Sequence, residues 1–297
     1  MRRIEPRVIL GLHRSRHEPV TFEHALERGV SSLDTAFNYH RFDAHRLLAR
    51  AAGNLLGEFS ISSKVGYVPG PDGRPVHSLD PRQLRDALCK SVDDLGRAPA
   101  VMFLHNPEQA SLHSELDDPE AQRDRLAEAS AVLDRAQTQG LCASWGWSCW
   151  DTQPILNLLA GPDRMRDLPR PRVLMVRAGL LVPGDLLDAS EHLADLFELE
   201  PSARWGMAPF GGLATDPLWE KINPQQFLAP HQSSSPAQAV VRAALALPSV
   251  TRIAVGTDDA QHLDELTAGL DLELDEPTVA RYRMLLRSHA PSGDRLR

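Results

Sequence analysis

Four polar side chains of different chemistry stand in three short, mostly apolar stretches. SSLDTAFNY carries Asp34 and Tyr39, ISSKV carries Lys64, and VMFLHNP carries His105. An acid, a phenol, an amine and an imidazole brought together make a proton-transfer site. A free phenol is a weak acid, with an ordinary pKa of about 10. A nearby ammonium favours the phenolate and makes the phenol a better proton donor. Lys64 can supply that charge, and Asp34 can hold Lys64 protonated and in place. His105 can bind a substrate oxygen and fix a carbonyl against Tyr39. The set suits a reaction in which charge develops on a carbonyl oxygen while hydride arrives at carbon. Each residue alone has a plainer reading: Asp34 as a strand-end cap, Lys64 as an internal ion-pair partner, His105-Asn106-Pro107 as a turn. What singles them out is their place at the ends of three successive apolar runs.

Those runs belong to a longer alternation. Candidate strands are Val8–Gly11, Val30–Asp34, Phe59–Val65, Val101–His105, Leu141–Trp147, Val173–Ala178, Arg204–Pro209 and Arg252–Gly256. Helix-like stretches separate them: Thr21–Glu27, Ala44–Ala52, Pro81–Leu95, Ala121–Gln139, Thr152–Ala160, Gly184–Phe197, Pro236–Leu247 and Asp259–Thr267. In the third of these, Leu84, Ala87, Leu88 and Leu95 mark one apolar side. Pro81 suits its first turn and Asp80 its N-cap. Thr278–Leu286 adds a last helix on the outside. Strands alternating with helices in this way predict a closed parallel (β/α)8 TIM barrel spanning 1–297 as a single domain. An open doubly wound sheet is disfavoured, because GLHRSRH after the first strand is a poor dinucleotide loop. Pro/Gly-rich loops follow the third strand (YVPGPDGRPVHSL) and the seventh (GGLATDPLWEKINPQQFLAPHQSSS), on the face where a barrel builds its site.

Composition narrows the functional classes. The 297 residues carry a net charge of -8 and no Lys/Arg cluster, which argues against a nucleic-acid partner. No apolar run approaches the length of a membrane span. MRRIEPRVILGL lacks the features of a signal peptide. Cys89, Cys142 and Cys149 form an odd, unpatterned set. A cytoplasmic monomer acting on a small-molecule carbonyl or alcohol is expected, without membrane association.

The ordered segments LDTAFNY, SSKV and FLHNP resemble those of the aldo-keto reductase superfamily, and the resemblance extends over nearly the whole chain. It implies a (β/α)8 barrel that binds NADPH, or less often NADH, and interconverts carbonyls and alcohols. Tyr39 would be the proton donor, Lys64 and Asp34 its tuning pair, and His105 the carbonyl orienter. Several positions depart from the family pattern. The Ser-Asn pair that holds the nicotinamide amide reads Ser148 and Cys149 in GWSCW, and Cys149 is a poor substitute for an amide. The assisting glutamine of the sixth strand corresponds to Met175 in LMVRAG. The aromatic that stacks on the nicotinamide ring corresponds to Met207 in WGMAPFGG. A thioether can pack on a ring face. Core packing is the plainer reading of both methionines. One of Trp145 and Trp147 is expected to line the pocket.

The resemblance also bears on the nucleotide. Gly211, Gly212 and the loop after them would pass near the pyrophosphate, and Glu265 resembles the adenine-side carboxylate. Where the family commonly offers a basic residue to the 2'-phosphate, VGTDDAQHLDEL offers Asp258 and Asp259. A carboxylate there repels that phosphate and accepts from a ribose hydroxyl, so NAD(H) is favoured over NADP(H), unless Arg252 compensates. Alternatively Asp258 is a helix N-cap, compatible with either nucleotide. After Tyr39, Arg41 and Phe42 replace the family's usual small turn and are expected to shape a pocket for an anionic or bulky compound. His13 with His17, and His40 with His45, lack a recognised zinc spacing, so no metal site is assigned. Two other classes stay open: a redox-silent, nucleotide-binding regulatory barrel, and a lyase or hydrolase using the same acid/base groups. A Cys149–His105 nucleophile is conceivable on paper but lacks a visible oxyanion hole.

Overall fold

The computed structural model describes residues 7–109, 118–161, 165 and 167–288. Eight parallel strands close into a barrel: β1 (Val8–Gly11), β2 (Ser32–Asp34), β3 (Ser60–Val65), β6 (Val101–His105), β7 (Ser144–Cys149), β8 (Val173–Arg177), β9 (Arg204–Met207) and β10 (Arg252–Val255). β10 pairs back onto β1, with Ile9 beside Ala254. The loop after β3 is itself ordered as an antiparallel hairpin of β4 (Tyr67–Pro69) and β5 (Pro75–His77), which the Pro/Gly content of that stretch concealed. Helices α1 (Pro19–Glu27), α2 (Ala44–Ala52), α3 (Pro81–Leu95), α4 (Pro119–Thr138), α5 (Gln153–Leu159), α6 (Gly184–Leu196), α7 (Pro236–Ala244) and α8 (Ala260–Ala268) occupy the crossovers.

Local signals explain several boundaries. The Asp80 carboxylate accepts from the backbone N–H of Arg82 and Gln83, both at 3.0 Å, and Gly96 ends α3 in the left-handed conformation. The α3 face bearing Leu84, Ala87, Leu88, Ser91 and Leu95 is buried, as its spacing requires. The fifth barrel strand runs Ser144–Cys149 rather than Leu141–Trp147, because its ladder follows β6 and pairs Ser148 with His105. The seventh stops at Met207, since Ala208 turns into a left-handed conformation (φ 54). A last helix, α9 (Glu276–Ser288), lies against α6 through the ion pairs Arg283–Glu191 and Arg287–Asp188, with the Tyr282 hydroxyl donating to the Leu180 carbonyl at 2.6 Å.

Strand periodicity sorts the side chains into two layers. Ile9, Val101, Phe103, Val173, Met175, Trp205 and Ala254 fill the barrel interior. The alternate residues, among them Leu10, Leu33, Ile61, Leu104, Trp147 and Val176, meet the helices. Among the described residues, no helix is long and apolar enough to cross a membrane.

Gly146 makes the interior layer possible. A Cβ there would stand 2.1 Å from the Val173 carbonyl oxygen and 3.1 Å from the Phe103 ring. The backbone of β8 would have to move to admit it. Gly146→Ala should therefore destabilise the fold by roughly 3 kcal/mol, read as a lowered midpoint in thermal or urea unfolding.

Candidate active site

Strand parity brings the polar set together. Asp34 on β2 is in register with Ser62, Lys64 on β3 with Phe103, and His105 on β6 with Ser148. Asp34, Lys64 and His105 share the inward-facing parity, at the carboxyl ends of adjacent strands. Beyond Asp34 the chain follows β3 further, with Thr35 N–H donating to Ser62 and Phe37 N–H to Lys64. It then turns, and this delivers the Tyr39 ring over Lys64.

The contacts form a relay. The Lys64 ammonium donates to the Asp34 carboxylate, to the Thr35 carbonyl at 3.0 Å and to the Tyr39 hydroxyl at 3.4 Å. The other Asp34 oxygen accepts from the Ser62 hydroxyl at 2.8 Å. Lys64 is 2 % exposed. Burial opposes its charge, yet Asp34 and Tyr39 hold its pKa above the ordinary value. Burial raises the pKa of Tyr39 and outweighs the nearby ammonium, so the phenol keeps its proton at neutral pH. The acidified phenol expected from the sequence is thus not the resting state. Burial pushes His105 well below its usual range, reinforced by Lys64, His77 and His13, so the imidazole is neutral. Its Nδ1 is buried without a hydrogen-bond partner among the described residues.

These four residues open into one cavity of about 800 Å³ that continues past β9 and β10. Met207, Gly212, Asp258 and Glu265 line it, as does Leu266. Ser148, Cys149, Met175 and Gly211 do not. Ser148 lies beneath the floor, its hydroxyl 3.8 Å from the Met207 sulfur. Met175 packs in the barrel interior with Phe103 and Trp205. Cys149 belongs to the outward-facing layer, and burial pushes its thiol pKa well up, which removes the Cys149–His105 nucleophile. Trp145 and Trp147, two positions apart, face outward together, and their indoles donate to Asp134 and Ser130. Neither lines the pocket.

Other expectations change in tertiary context. Asp258 caps no helix. Its oxygens accept from the Ser15 hydroxyl at 2.6 Å and the Arg16 N–H at 2.8 Å, and the Arg16 guanidinium lies 3.5 Å away. Asp259 caps α8 instead, accepting from the N–H of Gln261 and His262. The Asp258 carboxylate on which the NAD(H) preference rested is thus engaged within the chain. Arg252 stacks on Trp205 at the opposite end of the barrel. Arg41 is exposed, and Phe42 sits 5.3 Å from Phe37, so neither shapes the cavity. The turn holding them is costly, with His40, Arg41 and Phe42 all left-handed (φ 48, 55 and 70).

Several lining residues escaped the sequence reading. His13 stacks on Tyr39 at 4.6 Å, and Tyr67 on His105 at 5.0 Å. The Asn106 amide donates to the Tyr67 hydroxyl at 3.0 Å. Gly66 lets the hairpin approach, since a Cβ there would lie 2.9 Å from the His105 carbonyl oxygen. Trp150 forms one wall, fixed from behind by Glu108, whose carboxylate accepts from the N–H of Trp150 at 2.6 Å and Asp151 at 3.1 Å. Burial pushes Glu108 up to about 7. A strand-end rule applied to every strand would have flagged His13 and Trp150. Tyr67 lay in a stretch that showed no strand pattern.

Comparison with known proteins places this architecture. The aldo/keto reductase family model matches residues 16–169, and the chain belongs to that family. No curated protein sequence matches it. Among solved structures, an aldo-keto reductase from Bacillus halodurans in its holo form is 15% identical, with a TM-score of 0.69 over 94% of this chain and 91% of that one. An aldo-keto reductase from Klebsiella pneumoniae in complex with NADPH is 18% identical, with a TM-score of 0.67 over 98% and 94%. An aldose reductase from Schistosoma japonicum is 18% identical, with a TM-score of 0.64 over 95% and 89%. At these identities the likeness is one of fold.

Behind β3, His45 is 2 % exposed and its Nε2 lies 2.7 Å from the Ser63 hydroxyl. Burial lowers its pKa from 6.5 to about 4, against a smaller opposing effect of Asp94. The unfolded chain therefore binds more protons between these values. The stability held by neutral His45 is complete above pH 6.5 and is lost as pH falls towards 4. Urea titrations across this window should show the wild type losing about 3 kcal/mol more than His45→Gln.

Proposed function

We propose that this chain is a nicotinamide-dependent carbonyl reductase, able to run in reverse as an alcohol dehydrogenase. The observation that carries this is the Asp34–Lys64–Tyr39 contact chain, with a neutral His105 facing the same cavity. A buried ammonium held against a protonated phenol has little use in a passive binding site. It suits a phenol that must give up its proton when charge appears on a neighbouring oxygen.

The cavity accommodates an extended ligand. Met207 offers a polarizable floor, and Gly212, with positive φ and open space where a Cβ would stand, leaves room for a phosphate to approach its backbone. Glu265 and His262 line the far end. The bound nicotinamide would supply the hydride. His105 donates a hydrogen bond to the carbonyl oxygen and fixes it near Tyr39. Tyr39 passes its hydroxyl proton to that oxygen as negative charge develops, and Lys64 stabilises the phenolate left behind. Asp34 keeps Lys64 charged throughout. The amide clamp expected at Ser148, Cys149 and Met175 is reduced to at most Ser148, so ring contact with Met207 carries more of the orientation.

NADP(H) is the preferred nucleotide in this reading. The Asp258 carboxylate is engaged by Ser15 and Arg16, and the basic side chains Arg14 and His262 line the same cavity. The NADPH complex of the Klebsiella pneumoniae relative supports the same choice.

Fluorescence titration with NADPH and NADH, followed by turnover of an aldehyde panel, tests the proposal. NADPH should bind more tightly, and Tyr39→Phe should cut kcat by about 100-fold or more with nucleotide affinity unchanged. Binding without turnover in the wild type would favour the regulatory reading. Full activity in Tyr39→Phe would exclude Tyr39 as the proton donor.

A further inference from the structure

Arg177 is the last residue of β8, in register with Met207. Paired residues of parallel strands point to the same side of the sheet, so Arg177 is directed inward, above the Met175 layer. Its guanidinium lies 4.9 Å from the centroid of the Trp150 ring, and Trp150 lines the cavity while remaining 44 % exposed. Trp150, a wall of the cavity, thus has a cation against it, although Arg177 itself is not among the residues that line the cavity.

That cation differs from the paired arginines of the fold. Arg28, Arg204, Arg283 and Arg287 each meet a carboxylate. Arg177 makes no hydrogen bond or ion pair among the described residues, and its contact there is the Trp150 ring. Asp151 is close enough to favour its charge but not to pair with it, and one Asp151 oxygen accepts from the Gln153 N–H at 2.9 Å. The other acids along the cavity are engaged or remote: Asp34 by Lys64, Asp258 by Ser15 and Arg16, and Glu265 beyond β10. Burial opposes the guanidinium charge, although the group stays ionised at neutral pH. A partly desolvated cation without a counter-ion is unfavourable until an anion arrives. The ring contact leaves the guanidinium N–H groups without an acceptor among the described residues, and such a group can make a two-pronged contact with oxygens. The Glu108 bonds to the N–H groups of Trp150 and Asp151 hold this arrangement before any ligand enters.

We propose that the carbonyl substrate carries an anionic group, of which a carboxylate is the simplest form, held by Arg177 at the Trp150 wall of the cavity. This rests on the reductase reading above and moves the source of anion selectivity from Arg41, where the sequence placed it, to Arg177. Part of the cavity lining agrees in polarity, since His13, Tyr67 and Asn106 present hydrogen-bonding groups and no carboxylate.

Two measurements separate this inference from the reading beneath it. The first is calorimetric titration, without reductant, of para-carboxybenzaldehyde and benzaldehyde into the wild type, Arg177→Gln and Arg177→Lys. The wild type should prefer the carboxylated aldehyde by about tenfold or more, a preference that Arg177→Gln loses and Arg177→Lys partly keeps. Raising the salt concentration should weaken the wild-type preference and leave benzaldehyde binding unchanged, which tests the inference even if Arg177→Gln does not fold. A wild type without preference, or an Arg177→Gln protein that retains it, overturns the proposal. So does an Arg177→Gln protein that loses NADP(H) affinity while keeping the aldehyde preference, because the guanidinium then serves the nucleotide phosphates. The second measurement is steady-state reduction of both aldehydes with NADPH. Arg177→Gln should raise KM for the carboxylated substrate about tenfold and leave kcat for benzaldehyde within about twofold. Failure of every enzyme form to turn over either aldehyde would sink the reductase reading, while the titration still decides the role of Arg177.

Discussion

The ion pair between Lys64 and Asp34 is the constraint around which the site is organised. Sequestering an ammonium inside a barrel costs several kcal/mol unless a counter-charge and further acceptors surround it. Here Asp34, the Thr35 carbonyl and the Tyr39 hydroxyl take up the three ammonium protons, and Ser62 steadies the second Asp34 oxygen. Removing either ion would leave the other largely buried without its counter-charge. The pair therefore ties the chemistry to the integrity of β2 and β3.

The electrostatics around this pair divide the labour. Lys64 is kept charged, and that charge, together with burial, keeps His105 neutral. Tyr39 is kept protonated by burial. A neutral imidazole can donate one hydrogen bond without competing for the phenol's proton. In the reading proposed above, such a site would release a proton from Tyr39 when negative charge develops beside it. The expectation of an acidified phenol fails because a partner that stabilises phenolate also sits in a place that excludes water.

Around this centre the barrel supplies position and the loops supply the walls of the cavity. The hairpin after β3 lays Tyr67 and His77 over His105, with Gly66 permitting the approach. The segment after β7 brings Trp150 to the opposite wall under the control of Glu108. The loop after β1 contributes His13 beside Tyr39, and through Ser15 and Arg16 it engages Asp258 beyond β10. First and last strands are neighbours in the closed sheet, so this last contact completes the cavity where the two ends of the barrel sequence meet.

The alternation of apolar runs with amphipathic stretches, and a polar residue at the end of each of three runs, are local properties. They were sufficient to determine the barrel and the order of its elements, and they marked Asp34, Tyr39, Lys64 and His105, which the fold gathers at one cavity. What the sequence left undecided was the facing and partnership of residues outside that set. Whether Cys149 or Ser148 faces inward depends on register with β6 and β8, and a shift of one residue exchanges the two faces. Met175 and Met207 are both inward-facing, yet only Met207 reaches the cavity, because depth along the barrel is set by strand stagger. Asp258 looked like a free carboxylate or a cap until the fold brought Ser15 to it across 243 positions of sequence. Arg177 and Trp150 meet for the same reason. Hydrophobic periodicity is written in neighbouring residues and can be read from them, whereas charge pairing and pocket lining arise between segments that only closure of the barrel makes adjacent.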